Sequence, residues 1–510
     1  AAGAWDPAQV ALRDARPMAH FEVYADAPEP WPVGHGGAAD PAATGDTSRP
    51  QALDWVPEAA LAGGLSQRDG VERVRAHIAA GDCYQVNLTT RYRAVGELWP
   101  LFEAIAAAQP GGYLFGSALA GIACASPELF FHFEDGRLVT QPMKGTSWTD
   151  AAALAAEKER AENLMIVDLI RNDLGRVCET GSVLVDRLFE LHRLPTVWQL
   201  TSTVSGTTRP GTSLADVFGA LFPCGSVTGA PKIAAMRVIA ELESGPRGWY
   251  CGALGVLRPG GTATFAVPIR TVVRTPDGLV CSVGSGVVTD SDPDAELAEW
   301  RAKTAFLGGR PLRGLETMLL ADGVLQRRAA HRARLVRTCA THGLPLDLPE
   351  VDAALDAACT AHPSGRFRVR LVAGDGPVEA EVSPTPPPGS AMTLRLASES
   401  LPDWLDPVMR HKTTLRAHYD RLRQPDCDDV ICHRDGWVTE CTMGNLAVRL
   451  DGQWNTPPES AGLLPGVFRA ELLATGRLRE RPIAVAELAE AEELAFLNSL
   501  RGWCPAELGA

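Results

Sequence analysis

No stretch of this 510-residue sequence stays apolar for the roughly 18 residues that a membrane-spanning helix needs. Its opening residues, AAGAWDPAQVALRDARPMAH, have no signal-peptide core. A cytoplasmic protein that meets no membrane is the expectation. Positive charge is in deficit: 48 Lys and Arg against 62 Asp and Glu give a formal net charge of -14, which argues against a nucleic-acid surface. Among twelve cysteines no two stand as C-x-x-C. Neither a zinc ribbon nor a thioredoxin-type site is signalled, and reduced thiols fit best. Short-period repeats are absent too. What is present, 45% hydrophobic and 22% charged residues, is ordinary for a soluble enzyme. The length exceeds what one core supports, so two or more domains are expected.

Residues 27–50, rich in Pro, Gly and Ala, read as a long surface loop. GVERVRAHIAAGD reads as a helix that places Val71, Val74 and Ile78 on one face and stops at Gly81. In the following CYQVNLTTRY, Val86 and Leu88 face one way, while Gln85, Asn87, Thr89 and Arg91 face water or a polar cavity. FLGGRPLRG, residues 306–314, marks a boundary, giving domains 1–308 and 309–510. Asp322-Gly323, Asp435-Gly436 and Asp451-Gly452 between apolar runs make the second domain hairpin-rich. The expected class is α+β.

ELFFHFEDGRLVTQPMK reads as a hairpin turning at Asp135-Gly136, with Glu134 opposite Arg137. Counting outward places Glu128 opposite Met143 and beside Lys144. A solvated ion pair at a strand end is the simplest reading of such a couple. Glu159 and Glu162 share a helix face with Ile166, and Glu296 and Glu299 form a similar pair. They are either solvated helix faces or together the oxygen donors for one Mg²⁺. GSVTGAPK enters a helix with Pro231 in its first turn and lacks the Walker spacing, so it is no nucleotide loop. Arg270 in FAVPIRT and the Gly284-Ser285-Gly286 stretch, read as a turn, are carboxylate clamps by type.

Together these pieces resemble the chorismate-utilising enzymes, through DCYQVNLT, SPELFF, PMKGT, RAENLMIVDLIRNDLGR, FPCGSVTGAPK, AVPIRT and GSGVVTDSDPDAELAEW. The resemblance implies a sandwich of two antiparallel sheets with outer helices and the active site between the layers. It also implies Mg²⁺ on Glu162 and Glu299, with Glu159 and Glu296 nearby. Chorismate would be bound by Arg270, Gly284, Ser285, Gly286, Gln85 and Thr228. Anthranilate-forming and salicylate-forming relatives carry a small residue where this chain has Lys144. Lysine there resembles aminodeoxychorismate synthase component I, in which the amine attacks chorismate while Glu128 protonates the departing hydroxyl. Gln85 stands where water-using relatives have a lysine base, and an amide cannot deprotonate water. Gln199 departs from the family, where many relatives have histidine. No glutaminase motif is present, so ammonia from glutamine calls for a separate amidotransferase subunit.

In the second domain Lys412, Glu440, Arg334 and the GLLPGVFR turn supply an amine, a carboxylate, an arginine and backbone amides. Those are what pyridoxal phosphate chemistry asks of a protein. Residues 312–510 resemble the fold-type IV pyridoxal phosphate enzymes, and the closing FLNSLRGW is similar to fused aminodeoxychorismate lyases. By that resemblance Lys412 forms the Schiff base, Glu440 pairs with the pyridine nitrogen, and Arg334 binds the phosphate with backbone at Gly466 and Val467. A homodimer through this domain is also expected. The consecutive chemistries point to 4-aminobenzoate as the product. An unrelated aminotransferase or an inactive remnant in the second domain, and a docking and sensing role for the first, are the alternatives.

Overall fold

The computed structural model describes residues 53–108, 112–118, 120–147, 154, 157–193, 198–309, 311–385 and 390–509. The loop expected at 27–50 lies outside them. The chain divides at Gly308 and Gly309, with one amendment to the expected domains: Leu53–Ala59 belongs to the second unit. There Val56 shares a buried apolar cluster with Leu415 and Tyr419, and the Asp54 carboxylate accepts the Ala417 N–H at 2.6 Å.

The first unit is built on two antiparallel sheets. One includes, in order, Gln85–Ala94, Gly278–Val287, Thr271–Thr275, Ile122–Ser126 and Tyr113–Ser117, with Gly229–Ala230 also paired to Gln85–Ala94. The other runs Leu254–Leu257, Ala263–Ala266, Leu129–Glu134, Arg137–Gln141, Trp198–Thr207, Met143–Ser147, with Leu184–Arg193 also on Trp198–Thr207. Helices cover both. Gln67–Ala79 starts at Ser66, whose hydroxyl accepts the Asp69 N–H, and buries Val71 and Val74. It gives way to Gly81 at φ 83°, a left-handed conformation that glycine adopts without strain. Ile78 on the same face is half-buried. Glu157–Gly175 buries Ile166, Val167, Ile170 and Leu174 against Phe130, Phe131, Leu138 and Val204 of the second sheet.

The Asp135-Gly136 hairpin forms, and Glu134 faces Arg137. The turns at Asp135-Gly136, Asp322-Gly323, Asp435-Gly436 and Asp451-Gly452 hold both residues at positive φ, 47–53° at Asp and 70–83° at Gly, as a tight two-residue hairpin requires. The outward count fails, however, because a bulge between Leu129 and His132 shifts the register. Beyond Pro142 the chain leaves Leu129–Glu134 altogether, and Met143–Ser147 pairs with Trp198–Thr207. Glu128 therefore does not oppose Met143 on one ladder.

In the second unit a sheet of Val324–Leu325, Gly314–Ala321, Arg366–Ala373 and Glu379–Pro384 packs its apolar face on helices Arg328–Thr341 and Leu348–Ala361. A larger sheet runs Trp437–Cys441, Asp429–Arg434, Met392–Leu396, Gly502–Leu508, Glu493–Asn498, Asn445–Leu450, Gln453–Thr456, Arg479–Glu480. Met392–Leu396 lies parallel to both its neighbours. Among the described residues no helix is long and apolar enough to cross a membrane. All twelve cysteines are free thiols.

Candidate active sites

In the first unit two short, direct crossings from one sheet to the other lie side by side and carry the site. Residues 127–128 join Ile122–Ser126 to Leu129–Glu134, and residues 267–270 join Ala263–Ala266 to Thr271–Thr275. Val267 N–H donates to the Glu128 carbonyl at 3.1 Å, and Ala125 N–H to that of Arg270 at 3.1 Å. Glu128 sits at the first crossing, 2% exposed, and its Oε1 accepts the Ser226 hydroxyl at 2.6 Å. Burial raises its pKa above the usual carboxylate value, against the pull of the Ser226 bond, the Lys144 charge, the Met143 N–H and Lys303. The Lys144 charge acts on Glu128 across the fold of two sheets rather than along one hairpin.

Lys144 extends toward the strand Gly278–Val287. A Cβ placed on Gly286 would stand 3.3 Å from Lys144 Nζ and 2.0 Å from Gln85 Nε2. Missing side-chain bulk at Gly286 is thus what admits both groups. The polar face of Gln85–Ala94 is buried: Gln85, Asn87 and Thr89 are at most 6% exposed. Both polar atoms of Gln85, Thr89 Oγ1, and Gln199 Oε1 and Thr201 Oγ1 of the other sheet are buried without a hydrogen-bond partner. Unsatisfied groups of this number are costly to leave dry and suit a polar ligand.

Gly284-Ser285-Gly286 is not a turn. It is mid-strand, opposite Thr89, Leu88 and Asn87. The glycines serve close approach, since a Cβ on Gly284 would lie 2.4 Å from the Leu88 carbonyl. Strand alternation turns Ser285 to the opposite face from Gly286, where its hydroxyl donates to Glu296 and accepts the Trp300 indole N–H at 2.7 Å. The Ser285 side chain is therefore on the helix side of the sheet. Arg270, at φ 50°, is half-buried, and desolvation lowers its pKa to about 10. Thr228 gives its hydroxyl proton to the Cys224 carbonyl at 2.8 Å and accepts Asn87 N–H on its own carbonyl. Pro231 caps helix Lys232–Leu242 rather than entering its first turn.

Glu162 and Glu299 are half-buried, whereas the Glu159 side chain lies outside the described residues. Their carboxylate oxygens are the donors that a hard cation takes. Among the described residues, however, no three such groups gather into a metal-binding cluster. Glu296 is engaged by Ser285, and Glu299 by Lys303 at 2.7 Å. Lys303, which also reaches the Gly284 carbonyl at 2.7 Å, was not singled out by the sequence, and Ser226 stood unremarked within FPCGSVTGAPK. Nor was Glu243 singled out; it accepts the Thr89 N–H at 3.0 Å and pairs with Arg247 at 2.6 Å. Arg247 in turn holds the Val227 carbonyl at 2.8 Å and the Asn87 carbonyl at 2.5 Å.

In the second unit Glu440 is 3% exposed. Its Oε1 accepts both the Tyr419 hydroxyl at 2.6 Å and the Leu464 N–H at 3.1 Å. Burial raises its pKa to about 8. Burial, together with the charges of Arg334 and Arg416, lowers Lys412 to about 7. Arg334 is buried and forks onto Glu316 with two bonds of 2.8 Å, while its third nitrogen meets the Pro465 carbonyl at 3.3 Å. Gly466 caps helix Val467–Ala474 without a side-chain bond. The N–H groups at that helix start lack intrahelical acceptors and stand beside the arginine. A Cβ on Gly466 would lie 2.0 Å from Asn445 Oδ1. Thr413 and Thr439, next to Lys412 and Glu440 in the chain, each bury an unpartnered hydroxyl. Amine, acid, arginine and an amide-lined helix start fit pyridoxal phosphate in kind.

Residues 65–308 match the family model of the chorismate binding enzymes, and residues 315–508 that of the class IV amino-transferases. The chain thus joins a segment that matches the chorismate binding enzymes to one that matches the class IV amino-transferases. The chorismate binding part is similar to aminodeoxychorismate synthase component 1 of Salmonella typhimurium, 42% identical over 241 residues, 44% of this chain and 53% of that one. It is similar as well to anthranilate synthase component 1 of Streptomyces coelicolor, 41% identical over 244 residues, 45% of this chain and 48% of that one. The chain thus spans about half the length of these curated relatives. Their near-equal identities do not separate the two named activities, so the residues around Lys144 have to. The class IV part is similar to a solved Mesorhizobium loti protein provisionally assigned as an amino-acid aminotransferase. They are 33% identical, over 39% of this chain and 100% of that one, with a TM-score of 0.36.

Proposed function

We propose that this chain makes 4-aminobenzoate from chorismate in two consecutive steps, one in each unit. The observation that carries the first step is Lys144 drawn up with Gln85 against Gly286, its charge acting on buried Glu128. The Lys144 amine adds to C2 of chorismate as the C4 hydroxyl leaves as water, taking the Glu128 proton, and the ring double bonds shift between those carbons. Ammonia then adds at C4 and expels the lysine from C2, giving 4-amino-4-deoxychorismate. Arg270 and the Gly284 to Gly286 strand bind the substrate carboxylates. Mg²⁺, held by Glu162 and Glu299, would neutralise a carboxylate there. A separate glutamine amidotransferase supplies ammonia.

In the second unit Arg334 and the amides at Gly466 and Val467 hold the phosphate of pyridoxal phosphate, Glu440 its ring nitrogen, and Lys412 its aldehyde carbon. The cofactor supplies an electron sink for the amine-bearing carbon. Lys412 removes the ring proton from that carbon, pyruvate leaves, and the ring becomes aromatic. The similarity to an aminotransferase favours a second reading, transamination of another amine.

Product analysis by mass spectrometry separates these readings, using chorismate, an ammonium salt, Mg²⁺ and pyridoxal phosphate. 4-Aminobenzoate together with pyruvate is expected. Anthranilate would overturn the role of Lys144, and accumulation of aminodeoxychorismate alone would overturn that of the second unit.

A further inference from the structure

We infer that Arg416 is the residue by which the class IV site recognises a carboxylate of its amine substrate. Two cations depress the Lys412 amine, Arg334 and Arg416, and they are not equivalent. Arg334 spends its fork on Glu316 and a further N–H on the Pro465 carbonyl. Arg416 is half-buried, and among the described residues its guanidinium makes a single hydrogen bond, to the Thr442 carbonyl at 2.6 Å. The group is nevertheless well placed. It lies over the Tyr419 ring, 4.9 Å from the centroid, and the hydroxyl of that ring is fixed on Glu440. Arg416, Tyr419 and Glu440 therefore form one array, with the charge of Arg416 felt at both Glu440 and Lys412.

A half-buried cation with no ion pair among the described residues is costly to hold, because burial takes away part of its water. It also works against protonation of the neighbouring amine, as a Schiff-base lysine requires. Both features make sense if the counter-ion arrives with the substrate. The planar fork with four donors unspent matches a carboxylate in bidentate geometry. Tyr419 stacking fixes the plane, and the Thr442 carbonyl fixes one edge. The ligand class that follows is a primary amine bearing a carboxylate, which deepens the functional reading of this unit and rests on it.

The test uses the full-length, cofactor-loaded protein and benzoate, a carboxylate with no amine, titrated while the bound cofactor's absorbance is followed. Wild type should bind benzoate, Arg416→Gln at least about tenfold more weakly, and Arg416→Lys between the two. Cofactor affinity should be the same in all three. With the amine substrate, Arg416→Gln should raise KM by a similar factor and leave kcat within a few-fold, the signature of lost uniform binding. Unchanged benzoate affinity in Arg416→Gln overturns the assignment, as does an equal loss of cofactor affinity in both variants, which would make Arg416 a structural support. If wild type forms no 4-aminobenzoate, the benzoate titration still reads Arg416, and that failure belongs to the functional reading.

Discussion

Two lysines carry the proposed chemistry, and their settings differ. Lys412 is lowered to about 7 by burial and two arginines, so its neutral form, the one that attacks an aldehyde, grows as pH rises through that value. The rate of pyridoxal phosphate uptake by the cofactor-free protein should therefore increase across pH 6 to 8 and level off above, as stopped-flow absorbance would show. A flat profile would remove the buried amine from the account. Glu128 has the opposite duty. Its raised pKa keeps the proton on the carboxyl beyond the usual carboxylate range, and amination should fall as pH rises through that raised value. Glu128→Gln should lose most of the rate, at least about a hundredfold, and the pH limb with it. Lys144, Glu128, Lys412 and Glu440 could be named as candidates because their residue types stand out within motifs. Ser226, Lys303 and Tyr419 could not, since each bonds a partner elsewhere in the chain: Ser226 stands 98 positions from Glu128.

At the scale of elements, what could be read locally was read. The Asp-Gly turns, the helix ending at Gly81 and the alternation of Gln85–Ala94 all depend on neighbours in sequence. The bulge after Leu129 and the strand mistaken for a turn at Gly284 to Gly286 depend on which strand lies opposite. A Gly-Ser-Gly run looks like a turn until its partner shows that the missing side chains are needed for contact. Gly286→Ala should accordingly drive a methyl into the space of Gln85 and Lys144. Chorismate amination should drop about tenfold or more, while Tm moves by only a few degrees, because the end of Gln85 can shift. An unchanged rate would mean that the two side chains are not held against this strand. The Glu243–Arg247 clamp is different in kind. It ties Gln85–Ala94 to the 225–228 loop through backbone groups, so Glu243→Ala, which strands a buried guanidinium, should cost about 3–5 kcal/mol in denaturant unfolding of the first unit.

For the whole molecule, length led to an expectation of two or more domains, and the stretch at 306–314 to a boundary there. Lesions should then separate. Lys144→Ala is expected to stop chorismate consumption while leaving aminodeoxychorismate conversion intact, and Lys412→Ala to do the reverse. Mixing the two variants should restore 4-aminobenzoate formation if the intermediate is released. Conversion of aminodeoxychorismate by Lys412→Ala at the wild-type rate would defeat the assignment of that residue. Composition and motif also could not disclose the short segment Leu53–Ala59, which packs with residues 309–510 although residues 60–308 are inserted between them. On a ribosome adding ~5–20 residues per second, that segment emerges first and waits tens of seconds for its partners. The first unit can fold as soon as it is synthesised, but the second cannot close until nearly the last residue is made. A gene fragment beginning at residue 309 would encode a class IV domain without Asp54 under Ala417 and without Val56 in its core.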